Sequence, residues 1–150
     1  MTVTPRVKTL VIDGRDVSAR ETETILEAAQ EQGIFIPTLC RLEGLSEVGA
    51  CRLCLVEVKG VSKLLPACVT RVEEGMEVNT RTALLDRYRR TLLELLFAEG
   101  NHICAVCVAN GHCELQSMAQ RLTGKFFKNG HGRPFRFTRT EDAWSVVEVG

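Results

Sequence analysis

The sequence predicts an α+β protein built from two small modules and a tail. Three observations lead to this prediction. Short alternating apolar runs near the start of the chain indicate strands, one long amphipathic run in the middle indicates a helix, and the seven cysteines among 150 residues fall into two groups, at 40–68 and at 104–113. An odd number of thiols cannot all pair in disulfides, so the cysteines point to metal binding.

The first elements follow the order of a β-grasp fold. Residues 7–13 and 16–19 predict two strands, joined by a tight turn at Gly14 and Arg15. A helix follows, for which Thr22 is the predicted N-cap and Gly33 the stop. Strand, hairpin, strand and helix in this order are typical of the opening of a β-grasp fold.

A cysteine-bearing loop separates this opening from the remaining strands. Residues 37–54 lack clean periodicity and predict a loop that wraps around a bound group. Strands are predicted at 53–59 and 76–79, and residues 63–66 lead between them to Cys68. We therefore expect the first module to cover residues 1–80.

The second module is predicted to be helical. Thr82 begins a helix with a broad apolar stripe, whose charged residues are expected on the solvated face, and Gly100 ends it. The stripe contains Leu84, Leu85, Tyr88, Leu92, Leu95, Leu96 and Phe97, and the charged residues are Arg87, Arg89, Arg90 and Glu94. After a cysteine-rich loop at 101–113, a second helix begins at Glu114. This module covers residues 81–123, and residues 124–150 are expected to form an irregular tail.

Charge and hydropathy exclude several classes of partner. Lys plus Arg and Asp plus Glu both number 19, so the formal net charge is zero. Nucleic acid and anionic membranes both require a surplus of positive charge, so neither is expected as a partner. No apolar run approaches the roughly 20 residues of a membrane span, and the first residues lack the apolar core of a signal peptide. We expect no membrane insertion and a cytoplasmic location.

The first cysteine group favours an iron–sulfur cluster. Cys40, Cys51, Cys54 and Cys68 have the spacing C-x10-C-x2-C-x13-C. Zinc ribbons and fingers usually present two close pairs of ligands, whereas here a long loop, one close pair and a distal cysteine contribute the thiols. Gly44, Gly49 and Ala50 suit a loop that approaches the cluster closely. Structural zinc, buried core cysteines and a redox Cys-x-x-Cys pair are the alternatives.

At this point the chain resembles a known family. Residues 37–40, 49–58 and 66–68 are similar to the N-terminal [2Fe-2S] domain of complex-I-type iron–sulfur subunits. Relatives of that family include the diaphorase subunit of NAD-reducing hydrogenases and parts of NAD-dependent formate dehydrogenases and iron-only hydrogenases. The spacing of plant-type ferredoxins, C-x4-C-x2-C, is absent.

The second group resembles the [4Fe-4S] motif of the same family. His102, Cys104, Cys107 and Cys113 form H-x-C-x2-C-x5-C, and that family uses one histidine and three cysteines. The flanking segments 94–102 and 113–116 also match, most closely those of the diaphorase iron–sulfur subunit of bidirectional NAD(P)-linked [NiFe]-hydrogenases. One residue, Ile103, separates the histidine from the first cysteine, where complex I generally has three. We expect His112 to lie on the surface and His131 to be solvated.

The resemblance implies an electron relay with eight cluster ligands and no catalytic residue of its own. One [2Fe-2S] and one [4Fe-4S] cluster would pass single electrons between an NAD(P)H-oxidising flavin subunit, which would hold FMN and NAD(P), and a hydrogenase or formate dehydrogenase. Whether to count such a subunit as an enzyme stays open. Family members of the diaphorase type continue into a segment with further cysteines, so we expect a short form. The alternatives are a zinc-stapled structural adaptor and an assembly protein without a redox role.

Overall fold

A computed structural model describes residues 6–42, 44–45, 48–99 and 104–123 with their side chains, except that of Ala105, and the backbone of residues 135–140 and 143–148. The chain divides into two compact units, Met1–Asp86 and Arg87–Gly150. Within the described residues, no helix is both long and apolar enough to cross a lipid bilayer.

The first unit is a mixed five-stranded sheet with one helix. Its elements are β1 (Val7–Ile12), β2 (Arg15–Arg20), α1 (Ile25–Glu31), β3 (Leu55–Val58), β4 (Leu65–Pro66) and β5 (Glu77–Asn79). The strand order is β2-β1-β5-β3-β4, in which β1 and β5 pair in parallel and the other neighbours are antiparallel. This arrangement confirms the predicted β-grasp fold.

Alternation along the strands places one face of the sheet in the core. In β1, Leu10 and Ile12 are fully buried, and Val17 of β2 lies opposite Leu10. Successive strand side chains point to opposite faces, so the apolar members of both strands share the face that is buried. The same core contains Cys54 and Cys68. The first cysteine group therefore lies at the border of the apolar core.

Helix α1 begins two residues later than the sequence predicts. Its N-cap is Thr24 and not Thr22: the Thr24 hydroxyl accepts a hydrogen bond from the Glu27 N–H at 3.3 Å, and the Glu27 carboxylate accepts one from the Thr24 N–H at 2.8 Å. Thr24 also forms an antiparallel bridge with Arg71. This bridge keeps the chain extended through Thr24, so the helix cannot begin before Ile25.

Helix α2 (Ala83–Glu99) begins where the sequence predicts. The Thr82 hydroxyl accepts a hydrogen bond from the Leu85 N–H at 3.2 Å and donates one to the Glu57 carboxylate on β3 at 3.0 Å. This cap satisfies one of the free N–H groups of the first turn. Thr82 thereby connects the start of the helix to the sheet of the first unit.

The buried stripe of α2 differs from the predicted one. Leu85, Arg89, Leu93 and Phe97 are buried, at a spacing of four residues along one face. The expectation that Arg89 lies on the solvated face is wrong, since only 2% of its surface is exposed, whereas Arg87 and Arg90 are exposed. Its position one turn from both Leu85 and Leu93 places Arg89 on the buried face.

The second unit also contains a short 3-10 helix, one more α-helix and a hairpin. These are the 3-10 helix Cys104–Val106, α3 (Glu114–Thr123), β6 (Phe135–Thr140) and β7 (Ala143–Glu148). Helix α3 begins at the predicted residue. Strands β6 and β7 are antiparallel, with Phe135 opposite Glu148 and Thr140 opposite Ala143. The expectation of an irregular tail is therefore wrong for residues 135–140 and 143–148, which form regular strands.

Candidate metal centre

The structure brings the first four cysteines together at one end of the sheet. Cys40 lies in the loop after α1, Cys51 and Cys54 precede β3, and Cys68 follows β4. The Sγ atoms of Cys54 and Cys68 are 3.3 Å apart, and both side chains are almost completely buried. A backbone hydrogen bond from the Ala67 N–H to the Cys54 carbonyl, 3.0 Å long, holds these two segments side by side.

Cys40 and Cys51 form a second pair. The Cys51 N–H donates to Cys40 Sγ at 3.4 Å, and the Leu39 N–H donates to Cys51 Sγ at 3.5 Å. Each sulfur of this pair therefore receives a backbone N–H, and both side chains are half-buried. Hydrogen bonds of this type stabilise thiolate sulfur and help to set the reduction potential of a bound cluster.

The backbone donors also affect the acidity of Cys51. Burial alone would raise the pKa of its thiol, but N–H groups of Leu39 and Leu53 and the neighbouring Cys40 together lower the pKa below the usual value. The loop therefore favours the thiolate form at Cys51, and thiolate is the form that binds metal.

Cys68 has the opposite electrostatic environment. Burial, and then the neighbouring Cys54, raise the pKa of the Cys68 thiol to about 12. Several thiolates this close together repel one another unless a positive charge lies among them. An iron core supplies such a charge, so all four sulfurs can bind as thiolates around a cationic centre.

The wall of the site depends on Gly49. A Cβ at this position would lie 3.3 Å from Cγ1 of Val69 and 3.9 Å from Sγ of Cys68, so there is little room for a side chain here. At Gly44, glycine is favoured for a different reason. It has a φ of 80°, but an added Cβ would meet nothing within 4 Å. At Gly44 the backbone conformation, and not the space, favours glycine.

One anchor of the loop was not predicted from the sequence. Arg41, directly after Cys40, forms an ion pair with the Glu27 carboxylate at 2.8 Å and a hydrogen bond with Gln30 at 3.3 Å. Glu27 is thus shared between the cap of α1 and the ligand loop. Because Glu27 and Arg41 are 14 residues apart, only the folded arrangement shows that they pair.

The second cysteine group is arranged around the start of α3. Cys104 begins the 3-10 helix, and the Cys107 N–H donates to its carbonyl at 3.2 Å. Cys113 is the N-terminal flank of α3, since its carbonyl accepts the first helical hydrogen bond, from Ser117, at 3.0 Å. The remaining predicted ligand, His102, lies outside the described residues, as do Gly100 and His131. His112 is exposed, as expected.

A side-chain brace in this loop was also missed. The Gln116 amide accepts a hydrogen bond from the Gly111 N–H and donates one to the Asn110 side chain, both 3.3 Å long. Gln116 lies on the first turn of α3 and so connects the loop between Cys107 and Cys113 to the helix. The sequence carries no spacing rule that would have predicted this brace.

The sulfur arrangement bears on the kind of metal centre. Within the described part of the chain, no three His, Cys, Asp or Glu side chains converge on the position of one metal ion. A cluster distributes its protein ligands over several irons, and the two cysteine pairs of the first group suit a two-iron core.

Comparison with known proteins identifies the family. Residues 6–83 match the family model described as a 2Fe-2S iron–sulfur cluster binding domain. The chain belongs to this 2Fe-2S family. Residues 89–125 match the iron–sulfur binding region of NADH-ubiquinone oxidoreductase G. The resemblance to complex-I-type iron–sulfur subunits is confirmed, and the 2Fe-2S domain is followed by a 4Fe-4S region, which gives one cluster of each type.

Individual relatives agree with this assignment. The alpha subunit of a NADPH-Fe(3+) oxidoreductase from Geobacter sulfurreducens is 38% identical over 93% of this chain and 16% of its own length. The gamma subunit of the NAD-reducing hydrogenase HoxS from Cupriavidus necator is 40% identical over 75% of this chain and 47% of its own length.

A solved structure also matches. A chain of an NAD+-reducing [NiFe]-hydrogenase in the H2-reduced state superimposes with a TM-score of 0.75 and 37% identity, over 89% of this chain and 55% of that chain. The 2Fe-2S chain thus spans between about one sixth and about half of the length of these relatives.

Proposed function

We propose that this chain relays single electrons between an NAD(P)H-oxidising flavin subunit and the terminal module of an NAD(P)-linked oxidoreductase. The observation that carries the proposal is the arrangement of four cysteine sulfurs in two pairs. Backbone N–H groups donate hydrogen bonds to the sulfurs of Cys40 and Cys51. Electron transfer through a cluster needs no acid or base beside it, and hydrogen bonds to sulfur and burial set the potential of the cluster. Catalysis by the chain itself forms no part of the proposal.

We assign the [2Fe-2S] cluster to the four cysteines of the first unit. Cys40 and Cys51 would bind from the loop, and Cys54 and Cys68 from the border of the core. The burial of the second pair supports this assignment, because an apolar surrounding keeps water from the cluster and helps to set its potential.

We assign the [4Fe-4S] cluster to Cys104, Cys107, Cys113 and His102. The 3-10 helix and the start of α3 hold the three cysteines on one short segment, which supports a shared cluster. The imidazole of His102 would complete the set. A neutral imidazole in place of a thiolate makes the ligand set less negative, which raises the potential of the cluster.

The partners and the division of the chain belong to the same proposal. A flavin subunit that holds FMN and oxidises NAD(P)H would supply the electrons, and a hydrogenase or formate dehydrogenase module would receive them. The subunits named for the relatives support this pairing. We keep the division into residues 1–80, 81–123 and 124–150. The cytoplasmic location also stays a prediction. It is supported by the need of the clusters for reduced thiols, which the cytoplasm maintains.

The test is reduction of the clusters by NAD(P)H through a flavin subunit. The anaerobically purified chain is mixed with the flavin subunit that co-purifies with it, NADH or NADPH is added, and the visible absorption of the clusters is followed. We expect bleaching that requires both the nucleotide and the flavin subunit. A Cys68→Ala variant controls for the first cluster. A colourless chain that contains zinc, or an unchanged spectrum of a brown chain, would contradict the proposal.

A further inference from the structure

Arg52 has an unusual backbone conformation between two cluster ligands. Its φ is 57°, in the left-handed region that favours glycine, and it lies between Cys51 and Cys54. Within the described residues, Asp13 is the other non-glycine residue with a positive φ. Both positions tolerate a conformation that an L residue adopts only at a cost.

The side chain explains the choice of residue at Asp13. Its carboxylate accepts a hydrogen bond from the Thr80 N–H at 2.7 Å and a second one from the Thr80 hydroxyl. These bonds are lost if glycine replaces the aspartate. At Arg52, by comparison, nothing within the described chain uses the side chain: the guanidinium is exposed, and it forms no hydrogen bond or ion pair there.

The other arginine of the ligand loop differs in this respect. Arg41 is 20% exposed and paired with Glu27 at 2.8 Å, so its charge is neutralised within the chain. Among the described residues of the ligand loop, Arg52 is therefore the arginine whose charge is not paired. Glycine would adopt the backbone conformation of Arg52 more easily. Since the Arg52 side chain has no partner among the described residues, its presence at this position points to a contact outside the chain.

Exposed apolar side chains lie close to Arg52 in the ligand loop and beside that loop. Val48 is 68% exposed and Val69 is 38% exposed, and Ala50 between them in the ligand loop is exposed as well. Val69 borders Gly49, the residue between Val48 and Ala50. An apolar rim with one free guanidinium is suited to a protein surface that is apolar and presents a carboxylate.

We infer that Arg52 is the docking contact for a carboxylate on the flavin subunit that exchanges electrons with the first cluster. The inference rests on the proposed function and deepens it by naming the chemistry of the contact. Four thiolates around a two-iron core leave the site anionic, so an acidic partner surface would otherwise be repelled. Arg52 lies between two of the ligands and compensates this repulsion.

The test compares four substitutions in the full chain. R52K keeps the charge, R52A removes it, R52E reverses it, and R52G removes the side chain and relaxes the backbone. Reduced flavin subunit is mixed with each oxidised chain by stopped flow. One electron passes from the reduced flavin to the [2Fe-2S] cluster, and its bleaching is followed at low and high ionic strength.

We expect R52K to reduce at nearly the wild-type rate and R52E to be roughly tenfold slower at low ionic strength. R52A and R52G should lie between them, and high salt should bring the rates of all variants together. The midpoint potential of each chain is measured in parallel. An unchanged potential shows that the rate reflects docking and not the driving force.

Two outcomes would overturn the inference. R52E that is reduced as fast as wild type at low salt would exclude a charge contact. R52G at the wild-type rate would show that position 52 matters only for the turn. If the wild-type chain carries the cluster but the flavin subunit does not reduce it, the proposed function itself is wrong. That result differs from a failure of Arg52, in which wild type and R52E are reduced equally fast.

Discussion

Replacing Gly49 by alanine should destabilise the metal centre in two separable ways. The φ of Gly49 is 60°, and a left-handed L residue costs about 1–2 kcal/mol. In addition, the new Cβ would lie 3.3 Å from Cγ1 of Val69, closer than the 3.5–4.0 Å or so of an ordinary carbon contact. Val69 is partly exposed and can shift, so we take the low end of the overpacking cost, about 1 kcal/mol.

A matched control isolates the steric part. Gly44 lies in the same loop with a φ of 80°, and an added Cβ there would meet nothing within 4 Å. G44A should therefore carry the backbone cost alone. Val69→Ala removes the atoms that the new Cβ of G49A would meet. The double variant G49A/V69A should therefore be free of the steric destabilisation and retain only the backbone cost.

The assay is the rate at which the visible absorption of the [2Fe-2S] cluster disappears in denaturant under anaerobic conditions. A difference of about 1 kcal/mol corresponds to roughly a fivefold difference in rate. We expect G49A to lose its cluster about fivefold faster than G44A. Equal rates for G49A and G44A, or no recovery in G49A/V69A, would refute the steric argument.

Three further predictions concern the cap, an acidic group and the second cluster. Thr24→Ala should lower the free energy of unfolding of the first unit by about 1 kcal/mol, whereas Thr22→Ala should have little effect; equal effects in denaturant unfolding would contradict the observed cap. Burial raises the pKa of Glu27, but the bonds from Thr24 and the positive charges nearby lower it below 4.5 overall. The ionised form thus stabilises the fold above pH 4.5, and this contribution disappears as the pH falls through the lower, folded value, so the stability deficit of E27Q relative to wild type should shrink from pH 6 to pH 4. Stability is followed by the rate of cluster loss in denaturant at each pH. If E27Q loses its cluster faster than wild type by the same factor at pH 6 and pH 4, Glu27 does not titrate in this way. His102→Cys should lower the potential of the [4Fe-4S] cluster in an EPR-monitored redox titration, and an unchanged or higher potential would count against ligation by His102.

Much of the first unit could be predicted from local patterns. Period-two alternation predicts β1 and β2, and the cysteine spacing together with the small loop residues indicates a cluster site. These features depend on residues near one another in the chain. They are therefore visible without knowledge of the fold.

The error at Thr22 and the omission of the turn at Arg52 arose where a distant contact or a backbone conformation decides the outcome. Thr22 and Thr24 are equally good caps by residue type, and the bridge of Thr24 to Arg71 selects between them. The left-handed turn at Arg52 carries no signal, because such positions are recognised by Gly, Asn or Asp.

Two further errors have local causes. Arg89 was placed on the solvated face by its charge, although its spacing from Leu85 and Leu93 follows the buried stripe. For β6, the alternation of Phe135 and Phe137 with polar residues was present but was obscured by the glycines and the proline before it.

The central claim is that one chain holds two clusters on separate ligand sets, and a count of iron and acid-labile sulfide tests it most directly. Anaerobically purified protein should contain about 6 iron and about 6 sulfide per chain. Cys68→Ala should lower both counts to about 4, and Cys113→Ala should lower both to about 2. Zinc in place of iron, or a loss of both clusters in each variant while the fold is retained by circular dichroism, would contradict the account.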